Sequence, residues 1–206
     1  MPQSPTLAPL FVPRHRRMSY EQFLEDPSDE RAEWVNGEVI PMGTVALAHN
    51  TLTAWLLKVL GVLVEDRLGL GTLLHEPFNQ KLPRSSGRSP DLMVVLAEHA
   101  SRIKHNYLDG PADVVIEVLS PGTASVDRIE KYNDYEDGGV AGYWLLDPHR
   151  EVAEFYRLGS NGKFQPVLVE ANGRFDSAVL PGIWLLENWL WQRPPASVVE
   201  AAYGLR

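Results

Sequence analysis

The sequence predicts an α/β domain with a mixed central β-sheet flanked by helices. Three observations point to it: a long stretch with helical hydrophobic spacing, three strand-like runs directly after it, and a second helical stretch leading into a further apolar run. The order helix, three strands, helix, strand places helices on both sides of the sheet, and an additional short helix and hairpin precede this core.

Residues 1 to 17 are rich in Pro and Arg without hydrophobic periodicity, so they read as a flexible arm, and one domain is expected over 18–206. Ser19 with Gln22 three residues on has the composition of a capping box, which starts a short helix running to about Glu25. Asn36-Gly37 suits the positive φ angles of a tight turn, so Glu33 and Glu38 lie on a small hairpin. From Ala48 to Leu68 the residues Leu52, Trp55, Leu56, Val59, Leu60, Leu63 and Val64 recur at helical spacing, with Gly69 and Gly71 as a stop. Strand-like runs follow at Thr72 to Leu82, Asp91 to Ala97 and Asp113 to Leu119, each bounded by Pro, Gly or Ser. A second helix fits Ser125 to Asp137 and ends at Gly138-Gly139. Strands at Gly142 to Leu146 and Val152 to Leu158 flank a turn at Asp147-Pro148, and Asn161-Gly162 suggests another hairpin. The Trp-rich tail, Trp184 to Trp191, should pack as a helix or an extended cover. No internal repeat or low-complexity segment interrupts the chain.

With 206 residues, 44% of them hydrophobic, the chain can bury one sizeable core. It contains no cysteine, which excludes disulfides, thiolate metal sites and cysteine nucleophiles, so any metal must sit on carboxylates or histidines. No apolar run approaches the roughly 20 residues that span a bilayer, and the N-terminus lacks the apolar core of a signal peptide, so a soluble cytoplasmic protein without a membrane partner is expected. The net charge of −8 has the wrong sign for a module that binds nucleic acid by broad phosphate neutralisation. It weighs less against a nuclease, whose acidic metal ligands add negative charge that bound cations offset. The clusters Arg14, Arg16 and Arg17, then Arg84 and Arg88, then Arg102 and Lys104 read as solvated surface.

Two carboxylates stand where the pattern calls for hydrocarbon. Val114-Val115-Ile116-Glu117-Val118-Leu119 is apolar on both strand faces except at Glu117, the signature of a central strand covered on both sides. A carboxylate buried there costs several kcal/mol (~) unless it meets a cation, a donor cluster or a raised pKa. Asp91 poses the same problem at the head of Leu92-Met93-Val94-Val95-Leu96, and Pro90 suits the first position of that strand. If the two strands are neighbours, both carboxylates project from one face and share one ion, most simply Mg²⁺, which is held by one or two carboxylates plus waters and substrate phosphates.

Pro90-Asp91 followed by Glu117-Val118-Leu119-Ser120 resembles the PD-(D/E)XK nuclease signature. The surrounding segments are similar to the Uma family of putative restriction endonucleases: Glu33-Trp34-Val35-Asn36-Gly37-Glu38, His49, Asp127-Arg128 with Lys131, Tyr135, and Gly139-Val140 leading to Tyr143-Trp144-Leu145-Leu146-Asp147-Pro148. The resemblance runs from about residue 18 to 160 and implies a restriction-endonuclease-like core. One departure matters. The superfamily places a lysine two residues after the glutamate, where this chain has Leu119, and the resemblance implies that the lysine has moved to the next helix as Lys131. An Asp127–Lys131 pair on the helix surface is the other reading of that spacing.

What the resemblance implies is a metal-dependent endonuclease acting on DNA phosphodiester bonds. Asp91, Glu117 and the Val118 carbonyl would hold Mg²⁺, with Mn²⁺ a possible substitute, and Lys131 would steady the water or the developing charge. Glu38 would add a third carboxylate ligand, an exposed hairpin glutamate being its other reading, and His49, at the start of the long helix, would face the same cleft as a water or phosphate contact or else cap its helix or lie exposed. Glu33 reads as structural, tying the hairpin to Arg128. A homodimer is expected, with Trp184, Trp189 and Trp191 as one candidate interface and packing within the chain as the other reading. Two further functions remain open: a nuclease fold that binds without cutting, and a metal-dependent hydrolase of a small phosphorylated substrate. Phosphate loops, a nucleophile elbow and a His-Glu-x-x-His helix are all absent from the sequence.

Overall fold

The computed structural model describes residues 16–27, 31–83, 86–120 and 127–204. After β1 (Arg16–Arg17) comes α1 (Tyr20–Leu24), opened by the capping box: Gln22 N donates to Ser19 Oγ at 3.2 Å, and Ser19 N donates to Gln22 Oε1 at 2.9 Å. The hairpin of β2 (Ala32–Val35) and β3 (Glu38–Pro41) turns at Asn36 and Gly37, both at positive φ. The helix α2 (Leu47–Gly61) continues to Arg67 through wider turns, so that Leu68 N bonds Leu63 O, five residues back.

Four strands follow: β4 (Gly71–His75), β5 (Asn79–Leu82), β6 (Ser86–Arg88) and β7 (Leu92–Leu96). Next come β8 (Tyr107–Asp109) and β9 (Val114–Val118). Wide turns over Asp127–Lys131 lead into α3 (Tyr132–Gly138), which Gly139 ends in the left-handed region. The chain then forms β10 (Gly142–Asp147), β11 (Val152–Leu158), β12 (Phe164–Pro166), β13 (Arg174–Asp176), β14 (Trp184–Leu186), α4 (Glu187–Trp191) and α5 (Val198–Tyr203).

The central sheet runs β12-β11-β10-β9-β7-β4, with β9 and β10 parallel and the remaining pairs antiparallel. Side-chain alternation gives this sheet two cores. Leu92, Val94, Val114, Ile116, Trp144 and Leu146 pack against α2 through Leu52, Leu56 and Leu60. Met93, Val95, Val115, Tyr143 and Leu145 face the other way, onto Tyr135 of α3 and Leu82 of β5. An outer sheet, β1-β3-β2-β6-β5-β8, lies beyond that second core and carries the hairpin.

Several expectations change. The run Thr72 to Leu82 is two strands, because Pro77 brings no N–H to continue a ladder: β4 stays in the central sheet and β5 crosses to the outer one. Arg16 and Arg17, expected in the arm, pair with Val39 and Glu38 of β3. Residues 1–15 with Arg14, and also Arg84 and Ser125, lie outside the described residues. Arg88, expected on a solvated surface, is buried at 1% exposure. The segment Leu47–Arg67 is long and apolar enough to cross a membrane by length and composition, against the expectation that no run is; it is the core helix, with Leu52, Trp55, Leu56, Val59, Leu60, Leu63 and Val64 buried in the core. The tryptophan tail packs within the chain: Trp189 is buried in the α2 core, and Trp184 and Trp191 lean on it.

Candidate active site

Strand pairing brings the two unexpected carboxylates together. The β7–β9 register sets Leu92 opposite Ile116, so its continuation by one residue sets Asp91 opposite Glu117, on the face that looks toward α3. Glu117 is the one charged residue of a wholly buried strand. Asp91 stands just before β7, where Pro90 precedes it. Its Oδ2 accepts the Val118 N–H at 2.7 Å, and His49 Nε2 lies 3.0 Å from its Oδ1. His49 is the third residue of α2, so the start of the core helix reaches the end of the sheet.

Lys131 answers the burial of Glu117. It stands where the wide turns pass into α3, is buried, and places its Nζ 3.1 Å from Glu117 Oε1 and 3.2 Å from Glu33 Oε1. Tyr135, one turn further along, donates its hydroxyl to the same Glu117 oxygen at 2.6 Å. Burial above all, then the Glu117 and Glu33 carboxylates, push the Tyr135 phenol well above its ordinary range, so it remains a donor. Leu119, where the superfamily lysine would stand, is buried in the α3-side core. The Asp127 side chain lies outside the described residues.

Glu33 is the residue that sequence reasoning left out. It faces inward from β2 and holds two cations, with Arg88 Nη1 2.9 Å from its Oε2 and Lys131 on its Oε1, and Oε1 also accepts the Ser89 N–H at 3.2 Å. Burial alone would push its carboxyl up, but Lys131 and Arg88 outweigh that and hold it below the usual glutamate range. Arg88 in turn donates to Asp134 of α3 at 2.8 Å. Burial opposes its charge, yet the carboxylates of Glu33 and Asp134 hold the guanidinium above the ordinary arginine value. Among the described residues Glu33 is tied to Arg88 and Lys131; the expected tie to Arg128 falls on a side chain that lies outside the described residues.

These groups open onto a cavity of about 570 Å³ whose walls include Glu33, His49, Asp91, Glu117, Val118, Ser120 and Lys131. The loop from Met42 to Ala46 lines it as well, and so do Arg31 and Glu76. Of the residues expected from sequence, Asp91, Glu117, Val118, His49 and Lys131 meet here. Glu38 does not: it lies beside the hairpin turn, and its Oε1 accepts from Arg17 Nε at 3.0 Å and from Arg17 Nη2 at 2.5 Å. The hairpin presents its open end to the cleft, so Glu33 lines the cavity and Glu38 lies at the far end of the hairpin. The one sequence signal for this was the apolar context of Ala32-Glu33-Trp34-Val35.

Asp91 and Glu117 offer hard oxygen donors suited to Mg²⁺, and Val118 lines the same cavity. Among the described residues no group of three His, Asp or Glu side chains is placed to hold a metal ion.

A mixed sheet between helices, with paired carboxylates and a lysine at the end of its central strands, defines a restriction-endonuclease-like protein. The chain belongs to the Uma2 family, described as putative restriction endonucleases, whose profile matches residues 18–188. It is 28% identical over 139 residues to the uncharacterized protein sll1609 of Synechocystis, covering 65% of this chain and 75% of that one. Its fold matches the crystal structure of a putative nuclease belonging to DUF820 from Anabaena variabilis with a TM-score of 0.69 and 18% identity, covering 83% of this chain and 96% of the other.

Proposed function

We propose that this protein is a Mg²⁺-dependent endonuclease that hydrolyses DNA phosphodiester bonds in the cleft of Asp91 and Glu117. The observation that carries the reading is the buried Lys131 ammonium 3.1 Å from Glu117, at the end of the strand pair that also positions Asp91. Asp91, Glu117 and the Val118 carbonyl would hold the ion. When bound, Mg²⁺ lowers the pKa of water and draws charge from the phosphate oxygens.

The protein's own groups divide the remaining work. Lys131, fixed between Glu33 and Glu117, supplies a positive charge that needs no reorganisation as negative charge builds on the phosphate. His49 and the Val118 N–H orient the Asp91 carboxylate, while Tyr135 and Lys131 orient that of Glu117. In the reaction a water oxygen bonds to phosphorus, the bond from phosphorus to the leaving sugar oxygen breaks, and a proton passes to that oxygen.

The test is cleavage of supercoiled and single-stranded DNA in Mg²⁺, Mn²⁺ or EDTA by wild type and by Asp91→Ala, Glu117→Ala and Lys131→Ala. Metal-dependent nicking lost in all three variants is the expected result. Nicking that survives in Asp91→Ala or Glu117→Ala would overturn the site.

A further inference from the structure

We propose that Arg31 is a phosphate-binding residue that leads the substrate strand out of the catalytic cleft into an adjoining second cavity, which receives the neighbouring nucleotide; this rests on the nuclease reading above. The cleft wall holds four carboxylates, Glu33, Glu76, Asp91 and Glu117, against the two fixed cations Arg31 and Lys131. Lys131 is buried between Glu33 and Glu117, and His49 is turned to Asp91. Arg31 differs from both. Its side chain is 43% exposed, and its Nε and Nη2 both donate to Glu76 Oε1. Its Nη1 has no partner among the described residues.

That arrangement holds a guanidinium from behind and leaves one end of its fork to meet an anion, the geometry with which arginine takes phosphate oxygens. The holder is itself tied to the catalytic strand, because Glu76 N donates to Asp91 O at 3.3 Å. Arg31 is therefore set in a fixed relation to the carboxylates that flank the scissile phosphate.

Arg31 also borders a second cavity of about 150 Å³, whose walls include Phe23, Leu24, Pro77 and Asn79. It stands between the two spaces, as a phosphate joining two nucleotides would. The second cavity offers the Phe23 ring and the Asn79 carboxamide, whose Nδ2 donates to Pro77 O at 3.3 Å and whose buried Oδ1 has no hydrogen-bond partner among the described residues. Rings and carboxamides are the groups that take an unstacked base by its face and its edge. The occupant is thus the nucleotide next to the cleavage point on an extended strand.

The experiment pairs two readouts on wild type, Arg31→Met and Arg31→Lys, with folding checked by thermal melting. In Ca²⁺, anisotropy of a labelled single-stranded oligonucleotide should show about tenfold weaker binding by Arg31→Met. Its slope of log K against log salt should be shallower by roughly 0.7 to 0.9, one phosphate contact, and Arg31→Lys should recover most of that slope. In Mg²⁺, Arg31→Met should lose at least tenfold more kcat/KM on the oligonucleotide than on bis(p-nitrophenyl) phosphate, which has no flanking nucleotide. An unchanged salt slope, or equal losses on the two substrates, would overturn the proposal. If wild type hydrolyses neither substrate the nuclease reading falls, and the Ca²⁺ binding series alone decides the role of Arg31. Wild type that neither cleaves nor binds the oligonucleotide overturns both.

Discussion

Strands β7 and β9 carry the same device at both ends of their pairing, and the Asp91 end lines the cleft. Asp91, just before β7, accepts the Val118 N–H at 2.7 Å and meets His49 at 3.0 Å. Asp113, just before β9, accepts the Leu96 N–H at 2.8 Å and meets His99 at 2.7 Å. The antiparallel register relates the two ends by a local two-fold axis. What differs is the residue across the ladder: continuing the pairs Leu92–Ile116 and Val94–Val114 sets Glu117 opposite Asp91 but Val95 opposite Asp113. At both places an aspartate closes the strand end with a histidine and a backbone N–H. The second carboxylate, with Lys131 and Glu33 behind it, distinguishes the end that lines the cleft.

The comparison is most directly broken by making the same change at both ends. Asp91→Asn should lower DNA cleavage by roughly a hundredfold to a thousandfold. Asp113→Asn should leave cleavage within about twofold and instead lower stability by about 1 to 3 kcal/mol in urea unfolding, the cost of an impaired buried hydrogen bond. Equal losses of cleavage in two folded variants would show that the far end also serves the chemistry.

A second contrast sharpens what lies behind Glu117. Replacing Glu33 by Gln strips a buried carboxylate from two cations and should cost about 3 to 5 kcal/mol. The pH dependence has a definite sign. Glu33 in the folded protein sits below its ordinary value of 4.5, so its contribution is complete above that value and is lost as pH falls through the folded one. Urea midpoints should therefore fall more steeply in wild type than in Glu33→Gln from about pH 4.5 downward; parallel curves would contradict the pairing.

The smallest effect is expected at Glu38, whose partner Arg17 is largely exposed. Glu38→Ala should change stability by less than about 1 kcal/mol and leave cleavage and Mn²⁺ affinity as in wild type. A tenfold loss of metal affinity would return Glu38 to the ligand set.

The sequence displays some of this site and conceals the rest, for physical reasons. Glu117 is legible because a carboxylate in a doubly covered strand needs an explanation that hydrocarbon neighbours cannot supply. Asp91 is legible from its place after Pro90 at a strand head. Both helices and the Asn36-Gly37 turn follow from local chemistry that the fold leaves intact. The choice between Glu33 and Glu38 is different in kind. Both lie on one hairpin, and which end meets the cleft depends on how the outer sheet docks, with Arg88 arriving from 55 positions along the chain. Arg31 and Glu76 are separated by 45 residues and meet only because the run around Pro77 breaks into strands of two sheets. Burial of Arg88 was equally out of reach, since an arginine near a loop looks solvated until its carboxylates are brought to it.

The alternating charges Asp134, Arg88, Glu33, Lys131 and Glu117 run from α3 through the outer sheet and back to β9. They rivet the hairpin layer to the central sheet across a seam that hydrocarbon alone would leave free to breathe. Opening that seam would strand several charges away from both partner and water, so the layer cannot lift without dismantling the proposed catalytic centre. Amide protons of β2 and β9 should accordingly exchange together, as one cooperative unit, and an altered hairpin that still docks poorly would silence the protein before it unfolds it.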